Sequence, residues 1–495
     1  MDNSQKSDQK INHPKIKIPF GIGIWILIIT FIRLAYVGLN QRPLGIDEAQ
    51  YWTWAQHLAW GYHSKSPMIA WALWAAQQMN GVGLFAVRFL SPVTYAVSSL
   101  MVYFSAERLF QSHKVGFYSA LIFLLLPGVT FSASIISTDP FLIMFWSIAL
   151  FNFIDGVQNN TKTAWISCGV AVGLGFLSKY TMGVCVLSFG LFLIFSKRET
   201  LKTSGPYLAL IFGFLVLLPN LIWNAQNHWV TFVHVGSHNL DWSEAGWHWG
   251  SLGNFMGSQF AIAGPLVLIF FLFALTRFEQ LKKHPEAYLL LIWQIVPLLL
   301  GIMIEAVISH AYANWAAPIY LAISIFVAGE MLEKKSLEKI KTVLLILAIG
   351  INILLGLCLY SYELAYQHGV HLIKKDPFYL NRPWPTLGQA LMSFRFEHWN
   401  ANYLFDDRAV LSETMFYLRL DPGQVYSFNP NGNLADQYDL TTKLKLGDDY
   451  ILITRDKNSK ALKFFSHVNL INTIDIFSNH QEMDFYVYEL IGYQR

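Results

Sequence analysis

Residues 19–52 read PFGIGIWILIITFIRLAYVGLNQRPLGIDEAQYW, a long apolar run followed by a more polar stretch. Residues 19–39 are almost entirely apolar, which is long enough for one helix across a hydrocarbon core of about 30 Å. The stretch then turns polar and places Asp47 and Glu48 side by side, just before a helix-like run. The sequence therefore predicts a membrane span that ends shortly before a pair of adjacent carboxylates.

The composition of the 495-residue chain is typical of membrane proteins. Hydrophobic residues make up 54% and charged residues only 14%, and the mean hydropathy is +0.37. Soluble globular proteins average about a quarter charged residues, so this composition indicates the membrane class. The three cysteines fall in apolar runs, which indicates buried hydrophobic side chains and no disulfide framework. Because the first apolar stretch lacks a small-residue cleavage pattern, we expect it to remain as a signal anchor.

Long apolar runs recur up to residue 362. A span needs about 20 apolar residues, and somewhat fewer where neighbouring helices bury it. On that rule the expected fold is mainly α, a polytopic membrane helix bundle. Its spans number about eleven and lie near 19–39, 86–106, 114–130, 139–155, 164–179, 180–196, 205–223, 260–276, 287–304, 314–330 and 342–362.

Lysine and arginine residues determine the predicted orientation. They gather in the N-terminal segment, 1–18, and in alternate connections, whereas the opposite connections carry few of them. Because cytoplasmic loops of membrane proteins are enriched in Lys and Arg, the segment 1–18 is predicted to be cytoplasmic. An odd number of spans then places the tail, 363–495, in the periplasm. The expected location is the cell inner membrane, crossed several times.

The predicted membrane domain, 19–362, has two long outer loops. The loop 40–85 contains a stretch, 67–79, whose composition predicts an amphipathic helix lying in the membrane interface. The loop 224–259 is rich in Trp, which is also typical of an interface.

The tail, 363–495, has ordinary charge density and clear turn signals. Helix-like and strand-like segments follow each other there, near 384–396, 409–420, 449–454 and 484–490. This pattern predicts a small C-terminal α/β domain.

Three charged residues of the outer face have both a structural and a functional interpretation. Asp47 suits a helix N-cap, and capping is the simpler interpretation when the residue is taken alone. Lys65 stands on a face nearly free of cations. An exposed lysine usually serves solubility, but beside aromatic residues it also suits an anionic headgroup or phosphate. Asp139 precedes Pro140 in a typical helix opening, and as an acid at the rim of a span it can also orient a metal or a phosphate.

Other polar residues near this face carry weaker local signals. Arg88 begins the second span, and His310 lies at an outer helix end, where a hydrogen bond in an interface is the simpler explanation. Asn224 and His234 follow the seventh span with a spacing that fits no zinc motif. The chain has no Walker loop, no dinucleotide-binding glycine motif and no nucleophile elbow, and we expect no nucleic-acid partner.

The strongest candidates map to one membrane face although they belong to different spans, and independent helix caps have no reason to gather there. A site on the outer face cannot draw on cytosolic nucleotide sugars, so its substrate must already be activated and carried across on a lipid. The candidates are Asp47, Glu48, Lys65, Arg88, Asp139 and His310.

Several motifs resemble bacterial glycosyltransferases of the GT-C superfamily that use polyprenyl-phosphate sugars. This group, the glycosyltransferase family 39 type, includes relatives of protein O-mannosyltransferases and the transferase that adds aminoarabinose to lipid A. One departure is Ser66, where the family usually has a proline. The motifs cover nearly the whole chain and read DEAQYW at 47–52, GYHSKSP at 61–67, STDP at 137–140, LSK at 177–179, PNLIWN at 219–224, HAYANWAAP at 310–318, DRAVLSETMFYL at 407–418 and QYDL at 437–440.

The resemblance implies a GT-C fold and an inverting transfer of a sugar from a polyprenyl-phosphate carrier. It implies that Asp47 is the general base that takes the acceptor's proton. It assigns Asp139 to the catalytic site, as a support or as the ligand of a divalent cation such as Mg²⁺ or Mn²⁺. Lys65, with Arg88 and His310, would hold the donor phosphate and stabilise charge on the departing group. Supporting positions fall on Glu48, Tyr51, Tyr62, Asn224 and His234.

The residues leave the acceptor and the class of activity open. Lipid A or the lipopolysaccharide core is the expected acceptor, with protein as the alternative, and membrane lipids are expected around the bundle. A transporter or flippase for a lipid-linked sugar is the alternative from another class. Transporters tend to show internal repeats and sites at mid-membrane, whereas this chain shows no repeat and carries its candidate charges at one face.

Overall fold

The computed structural model describes residues 19–239, 246–276, 284–332, 338–429, 436–478 and 481–494. Most of these residues are helical, and one five-stranded sheet lies near the C-terminus. The helices up to residue 367 are α1 (Phe20–Leu39), α2 (Ile46–Ala55), α3 (Met68–Asn80), α4 (Leu84–Arg88), α5 (Leu90–Phe110), α6 (His113–Leu124), α7 (Pro127–Ser132), α8 (Thr138–Asn159), α9 (Lys162–Ser178), α10 (Met182–Ser196), α11 (Gly205–Gln226), α12 (Val230–Asn239), α13 (Trp249–Ala263), α14 (Pro265–Leu275), α15 (Pro285–Ile308), α16 (Ile319–Leu332) and α17 (Glu338–Gln367).

The apolar helices confirm a multi-pass membrane protein. Among the described residues, six helices are long and apolar enough to cross a membrane, or seven if the bent pair α13–α14 counts as one span. Helices α9, α10 and α16 are apolar but shorter. Every predicted span falls on a helix or a broken helix, and fewer than eleven pass the length test because several are short or interrupted. The stretch 67–79, predicted as a helix, is α3.

The predicted span 260–276 is broken where a straight helix was expected. Helices α13 and α14 meet at 111°, with Gly264 between them. Gly264 has φ +78°, which L side chains rarely adopt, and a Cβ there would lie 1.8 Å from Asn352 Oδ1. Pro265 follows in the first turn of α14, where its missing N–H would be unpaired in any case. A rule based on apolar length cannot detect such a break.

A second break separates α6 from α7, ahead of Pro127. Arg33 of α1 is buried beside it and donates from Nη2 to the Leu124 carbonyl and, at 3.1 Å, to Thr130 Oγ1. A helix end inside a membrane needs such partners because lipid tails offer none. Packing of the bundle therefore accounts for this intramembrane arginine.

The C-terminal part of the chain forms a small α/β unit, as predicted. Its sheet has the order β2-β1-β3-β5-β4, with β1 parallel to both neighbours and the other pairs antiparallel. The four predicted segments of the tail fall on α18, α19, β3 and β5. The elements of the unit are α18 (Trp384–Glu397), β1 (Tyr403–Phe405), α19 (Arg408–Leu418), β2 (Val425–Ser427), α20 (Gln437–Thr441), β3 (Tyr450–Thr454), β4 (Phe465–Ser478) and β5 (Gln481–Tyr493).

The α/β unit shares a hydrophobic core with helices at the end of the membrane bundle. Trp52 of α2 packs edge to face against Phe416 of α19, with ring centroids 5.2 Å apart. Leu73 of α3, Met415 of α19 and Val487 of β5 belong to the same buried cluster. Because burying a large apolar side chain contributes roughly 1.5–3 kcal/mol, this cluster holds α19 against α2.

Glu413 of α19 is buried near this interface, and neither carboxyl oxygen has a hydrogen-bond partner among the residues described. Burial raises the pKa of Glu413 well above its usual 4.5, and the Glu48 carboxylate raises it further, while Arg88 opposes the rise. The folded protein therefore holds this proton more tightly than the unfolded chain. The resulting stability is fully present below the unfolded pKa and is lost as pH rises through the folded pKa.

We expect Glu413→Gln, which cannot ionise, to flatten the decline of stability with rising pH. Thermal unfolding in detergent, measured from about pH 5 to about pH 9, should show a steeper fall for the wild type than for this variant. Glu397→Gln, at an exposed position of α18, serves as the control and should parallel the wild type. Parallel curves for the wild type and Glu413→Gln would contradict the prediction.

Candidate functional site

A buried ion pair locks the start of α2 to the bundle. Arg88 donates from Nε and Nη2 to the two Glu48 oxygens, at 2.8 and 2.7 Å, and from Nη1 and Nη2 to the two carbonyls of the 42–43 turn. Glu48 also accepts from the backbone N–H groups of Gly45 and Ile136, each at 3.0 Å. Burial alone would raise the pKa of Glu48, but the Arg88 cation outweighs that effect and the pKa is lowered.

These contacts give Arg88 a structural role. Its side chain is fully buried, and each of its nitrogens already donates within the protein. Arg88 therefore fixes Glu48 and, through it, the beginning of α2. Breaking a buried pair of this kind leaves an uncompensated charge.

Asp47 lies in the first turn of α2, next to the buried Glu48–Arg88 ion pair. The N-cap of α2 is Gly45, so Asp47 is not the cap that its local sequence favoured. Its Oδ1 accepts a hydrogen bond at 3.0 Å from Nη1 of Arg408, which also donates to Gln50 Oε1 at 2.6 Å. The Asp47 side chain is 63% exposed, and Oδ2 accepts no hydrogen bond from the described part of the chain. One carboxylate oxygen is therefore held and the other is open.

The loop 61–67 is built around the buried Tyr62. The Tyr62 ring stacks on Trp54 with centroids 4.8 Å apart, and its carbonyl accepts from Thr231 Oγ1 at 2.8 Å. The Tyr62 N–H donates to the Lys65 carbonyl at 3.2 Å, which closes the loop. Tyr62 therefore shapes the backbone that carries Lys65.

The Lys65 ammonium makes no hydrogen bond or ion pair with any residue in the described ranges. Burial lowers the pKa of Lys65, and the Lys179 cation lowers it further, while Asp47 and Asp139 act in the opposite direction. A partly buried cation that contacts no carboxylate is the group that an anionic ligand would neutralise.

Asp139 connects three elements of the bundle. Its Oδ1 accepts from Lys179 Nζ at 2.7 Å, and its Oδ2 accepts from Asn314 Nδ2 at 2.7 Å. Asp139 is in the first turn of α8, Lys179 follows α9, and Asn314 lies between α15 and α16. The very short turn after α9 thus presents the lysine to Asp139.

These contacts do not fit a divalent cation at Asp139. Each Asp139 oxygen already accepts a hydrogen bond, one from an ammonium group and one from an amide, and the ammonium cation would repel a metal ion. Across the described ranges, no three His, Cys, Asp or Glu side chains converge into a possible metal site. The geometry favours the supporting role of Asp139.

Electrostatic effects connect the two carboxylates and the cations. Burial raises the pKa of Tyr51 in α2, the charges of Asp47 and Asp139 raise it further, and Arg408 lowers it. The same two carboxylates and Arg408 also act on Lys65. The structure therefore brings Asp47, Lys65 and Asp139 into one charged site, at the end of the bundle where the α/β unit docks.

A polar network extends this site along α11. The Tyr180 hydroxyl donates to Asn220 Oδ1 at 2.9 Å and accepts from Asn224 Nδ2 at 3.3 Å. Asn220 Nδ2 donates in turn to the Trp60 carbonyl at 2.6 Å. The buried Asn224 Oδ1 has no partner in the part of the chain that the structure describes. Asn224 thus supports the network and keeps one acceptor available.

The two predicted histidines lie around the site. His234 of α12 packs against His63, with ring centroids 4.8 Å apart, and the His63 N–H donates to Gln437 Oε1 of the tail at 2.7 Å. His310 Nδ1 lies 3.0 Å from Ser309 Oγ. His310 is in the connection between α15 and α16, which also contains Asn314, the amide partner of Asp139.

Sequence reasoning gave no role to Lys179, Asn314, Gln50 or Arg408. Each lies in one of the motifs that resemble the family, and this position was the sequence feature that could have identified it as a site residue. Their partners could not be inferred, because Lys179 and Asn314 lie 40 and 175 residues from Asp139 in the chain and Arg408 lies 361 residues from Asp47.

Comparison with known proteins places the chain among membrane glycosyltransferases. Residues 64–223 match the family described as dolichyl-phosphate-mannose-protein mannosyltransferase. The chain is 28% identical over 414 residues to the lipid A galacturonosyltransferase RgtD of Rhizobium johnstonii, with 83% of this chain and 85% of that protein covered. It is 26% identical to the undecaprenyl phosphate-α-4-amino-4-deoxy-L-arabinose arabinosyl transferase of Pseudomonas savastanoi, over 57% of this chain and 53% of that protein. The chain therefore spans about half the length of this second relative.

Solved structures show the same fold. ArnT from Cupriavidus metallidurans bound to undecaprenyl phosphate superposes with a TM-score of 0.67 at 13% identity, over 95% of this chain and 98% of that chain. The chain therefore has the GT-C fold. The oligosaccharyltransferase AglB from Archaeoglobus fulgidus matches this GT-C fold with a TM-score of 0.54 at 11% identity, over 88% and 70% of the two chains. The family match of this GT-C enzyme includes Lys65, Asp139 and Lys179.

Proposed function

We propose that this GT-C enzyme moves a sugar from a polyprenyl-phosphate carrier to lipid A or the lipopolysaccharide core, at the periplasmic face of the inner membrane. The observation that carries the proposal is the Lys65 ammonium, which contacts no carboxylate among the described residues and lies in one charged site with Asp47 and Asp139. A phosphate on a membrane-embedded carrier supplies the missing negative charge. The names of RgtD and of undecaprenyl-phosphate-bound ArnT support this choice of acceptor and carrier.

The proposed step is a single displacement. An acceptor hydroxyl attacks the anomeric carbon from the side opposite the phosphate, which inverts that centre. The bond from the anomeric carbon to the phosphate oxygen breaks, and the carrier phosphate leaves with the bonding pair. Asp47 takes the acceptor's proton on Oδ2, the oxygen that has no partner among the described residues. The Lys65 cation stabilises the charge that grows on the leaving phosphate.

The surrounding residues hold these two groups in place. Lys179 is fixed by Asp139, and we assign it the second cationic position near the phosphate, in place of Arg88. We keep His310 as a further candidate for the phosphate, because it lies on the same connection as Asn314, the partner of Asp139. The remaining predicted residues act as supports, since they shape the loop of Lys65 or the beginning of α2, and they are Glu48, Tyr51, Tyr62, Asn224 and His234.

The orientation in the membrane follows from the loop charges. The basic segment 1–18 is assigned to the cytoplasm, and the α/β domain within 363–495 to the periplasm. For the donor sugar we propose a uronic acid, because RgtD, which aligns over 83% of this chain, is by name a galacturonosyltransferase.

The test is a transfer assay with the purified enzyme in lipid nanodiscs. With polyprenyl-phosphate galacturonic acid and lipid A, we expect mass spectrometry to show lipid A that carries an added uronic acid. Product from polyprenyl-phosphate aminoarabinose alone would change the assigned sugar. Product on envelope proteins alone would favour the protein O-glycosyltransferase activity that the family description names. Lipid-linked sugar that crosses sealed vesicles without any covalent product would contradict the proposal.

Binding of the donor phosphate by Lys65 predicts a loss of affinity at alkaline pH. Burial and the Lys179 cation lower the pKa of Lys65 below its usual 10.5, and only the protonated amine binds phosphate well. The affinity for undecaprenyl phosphate should therefore fall as pH rises through this lowered pKa, earlier than for an ordinary lysine. Lys65→Arg should keep its affinity, because guanidinium stays protonated.

The measurement is the dissociation constant of undecaprenyl phosphate between about pH 7 and about pH 10, below the usual pKa of a lysine. Lys460→Arg, at an exposed position of the tail, is the control and should behave like the wild type. If the affinity of Lys65→Arg fell at alkaline pH in the same way as that of the wild type, a group other than Lys65 would be titrating.

A further inference from the structure

Arg408 reaches the transfer site from the C-terminal α/β domain. It is the first residue of α19, directly after the N-cap residue Asp407, whose side chain accepts from the backbone N–H groups of Ala409 and Val410. Further along α19, Phe416 packs on Trp52 of α2. Because α19 is capped at its start and packed against α2, its first residue is held in a defined place beside the transfer site.

The Arg408 guanidinium connects two side chains of α2. Nη1 donates to Asp47 Oδ1 at 3.0 Å and to Gln50 Oε1 at 2.6 Å. Asp47 and Gln50 are three residues apart, so they lie on the same helix face. An exposed ion pair contributes only about 0–1 kcal/mol to stability. The Arg408 side chain is 49% exposed and that of Asp47 is 63% exposed, so their contact contributes little to stability. Its main effect is to orient the Asp47 carboxylate.

We propose that Arg408 is a positioning residue for Asp47, so that transfer requires the docked C-terminal domain. By holding Oδ1, Arg408 leaves Oδ2 as the oxygen that faces the acceptor hydroxyl. This inference rests on the proposed function of Asp47 as general base. Hydrogen-bond reach is the first requirement of a general base, and a misplacement of about 1 Å can lower a rate roughly a hundredfold.

The test compares Arg408→Gln, Arg408→Lys and Arg455→Gln in the transfer assay. Arg455 is a matched control: it is 41% exposed, lies in the same domain and pairs with Asp407, next to Arg408 but away from Asp47. We expect Arg408→Gln to lower kcat about tenfold to a hundredfold, with KM for the donor within about twofold of wild type. Arg408→Lys should recover part of kcat, because an ammonium pairs with Asp47 but lacks the guanidinium fork. Arg455→Gln should stay within about twofold of wild type.

Thermal unfolding of each variant separates positioning from structural damage. A wild-type kcat in Arg408→Gln would overturn the assignment. So would equal losses of kcat and melting temperature in Arg408→Gln and Arg455→Gln, since both arginines would then only stabilise the domain. An inactive wild type would overturn the proposed function, and this inference with it, whereas an active wild type with an equally active Arg408→Gln overturns the role of Arg408 alone.

Discussion

Asp47→Asn is expected to lower the transfer rate about 100-fold to 10,000-fold, the usual range for loss of a general base. Asparagine has the shape of aspartate but cannot take the acceptor's proton. Because Asp47 is largely exposed and is not the N-cap of α2, the substitution leaves the buried Glu48–Arg88 pair intact. Donor affinity should therefore change little. Product formation at saturating donor gives kcat, and titration of undecaprenyl phosphate gives the affinity.

The control for Asp47→Asn is Asp421→Asn, an exposed position at the start of a short helical turn in the tail. Asp421 accepts from the Gly423 N–H, and asparagine can accept the same bond. We expect wild-type kcat from this control. If Asp47→Asn kept more than about a tenth of the wild-type rate, the proton would have another acceptor and the base assignment would be wrong.

Arg88→Met is expected to cost about 3–5 kcal/mol of stability, the range measured when one partner of a buried ion pair is removed. The reason is that Glu48 would keep its place, buried, without its cation. The beginning of α2 would then lose its anchor, and the activity that depends on Asp47 should fall as well. Thermal unfolding in detergent measures the first effect, and the transfer assay below the melting temperature measures the second.

Lys114→Gln is the matched control for Arg88→Met, because Lys114 forms an exposed ion pair with Glu338. Such a pair contributes about 0–1 kcal/mol, so the control should unfold close to wild type. The double variant Arg88→Met with Glu48→Met should regain part of the stability, since it leaves no buried charge behind. Equal stability of Arg88→Met and Lys114→Gln would contradict the claim that the Glu48–Arg88 pair anchors the beginning of α2.

Local sequence properties were sufficient for most of the fold. The apolar runs predicted the bundle because a helix that crosses a hydrocarbon core needs about 20 apolar residues, a property of the local sequence. The break at Gly264 was missed because it depends on one backbone angle and on the approach of Asn352, neither of which alters hydropathy. The α/β tail was predicted from local periodicity, but its docking on α2 was not, because the contact of Trp52 with Phe416 joins distant segments.

The contacts of the proposed site residues could be predicted only in part. Charges on one membrane face pointed to Asp47, Lys65 and Asp139, and the structure brings these three together. Arg88 has the same charge as Lys65, and only the structure shows that it is fully buried and paired with Glu48. Arg408 was outside the prediction because a tail residue reaches Asp47 only after the whole chain has folded.

Binding of the phosphorylated carrier lipid is the most direct measurement of whether Lys65 holds the donor phosphate. Native mass spectrometry can compare undecaprenyl phosphate binding to the wild type, to Lys65→Met and to Lys460→Met, whose residue is an exposed lysine of the tail. A charge-assisted hydrogen bond is worth about 1.5–3 kcal/mol, so Lys65→Met should bind roughly tenfold to a hundredfold more weakly. Lys460→Met should bind like the wild type, and equal affinity of all three proteins would contradict the site.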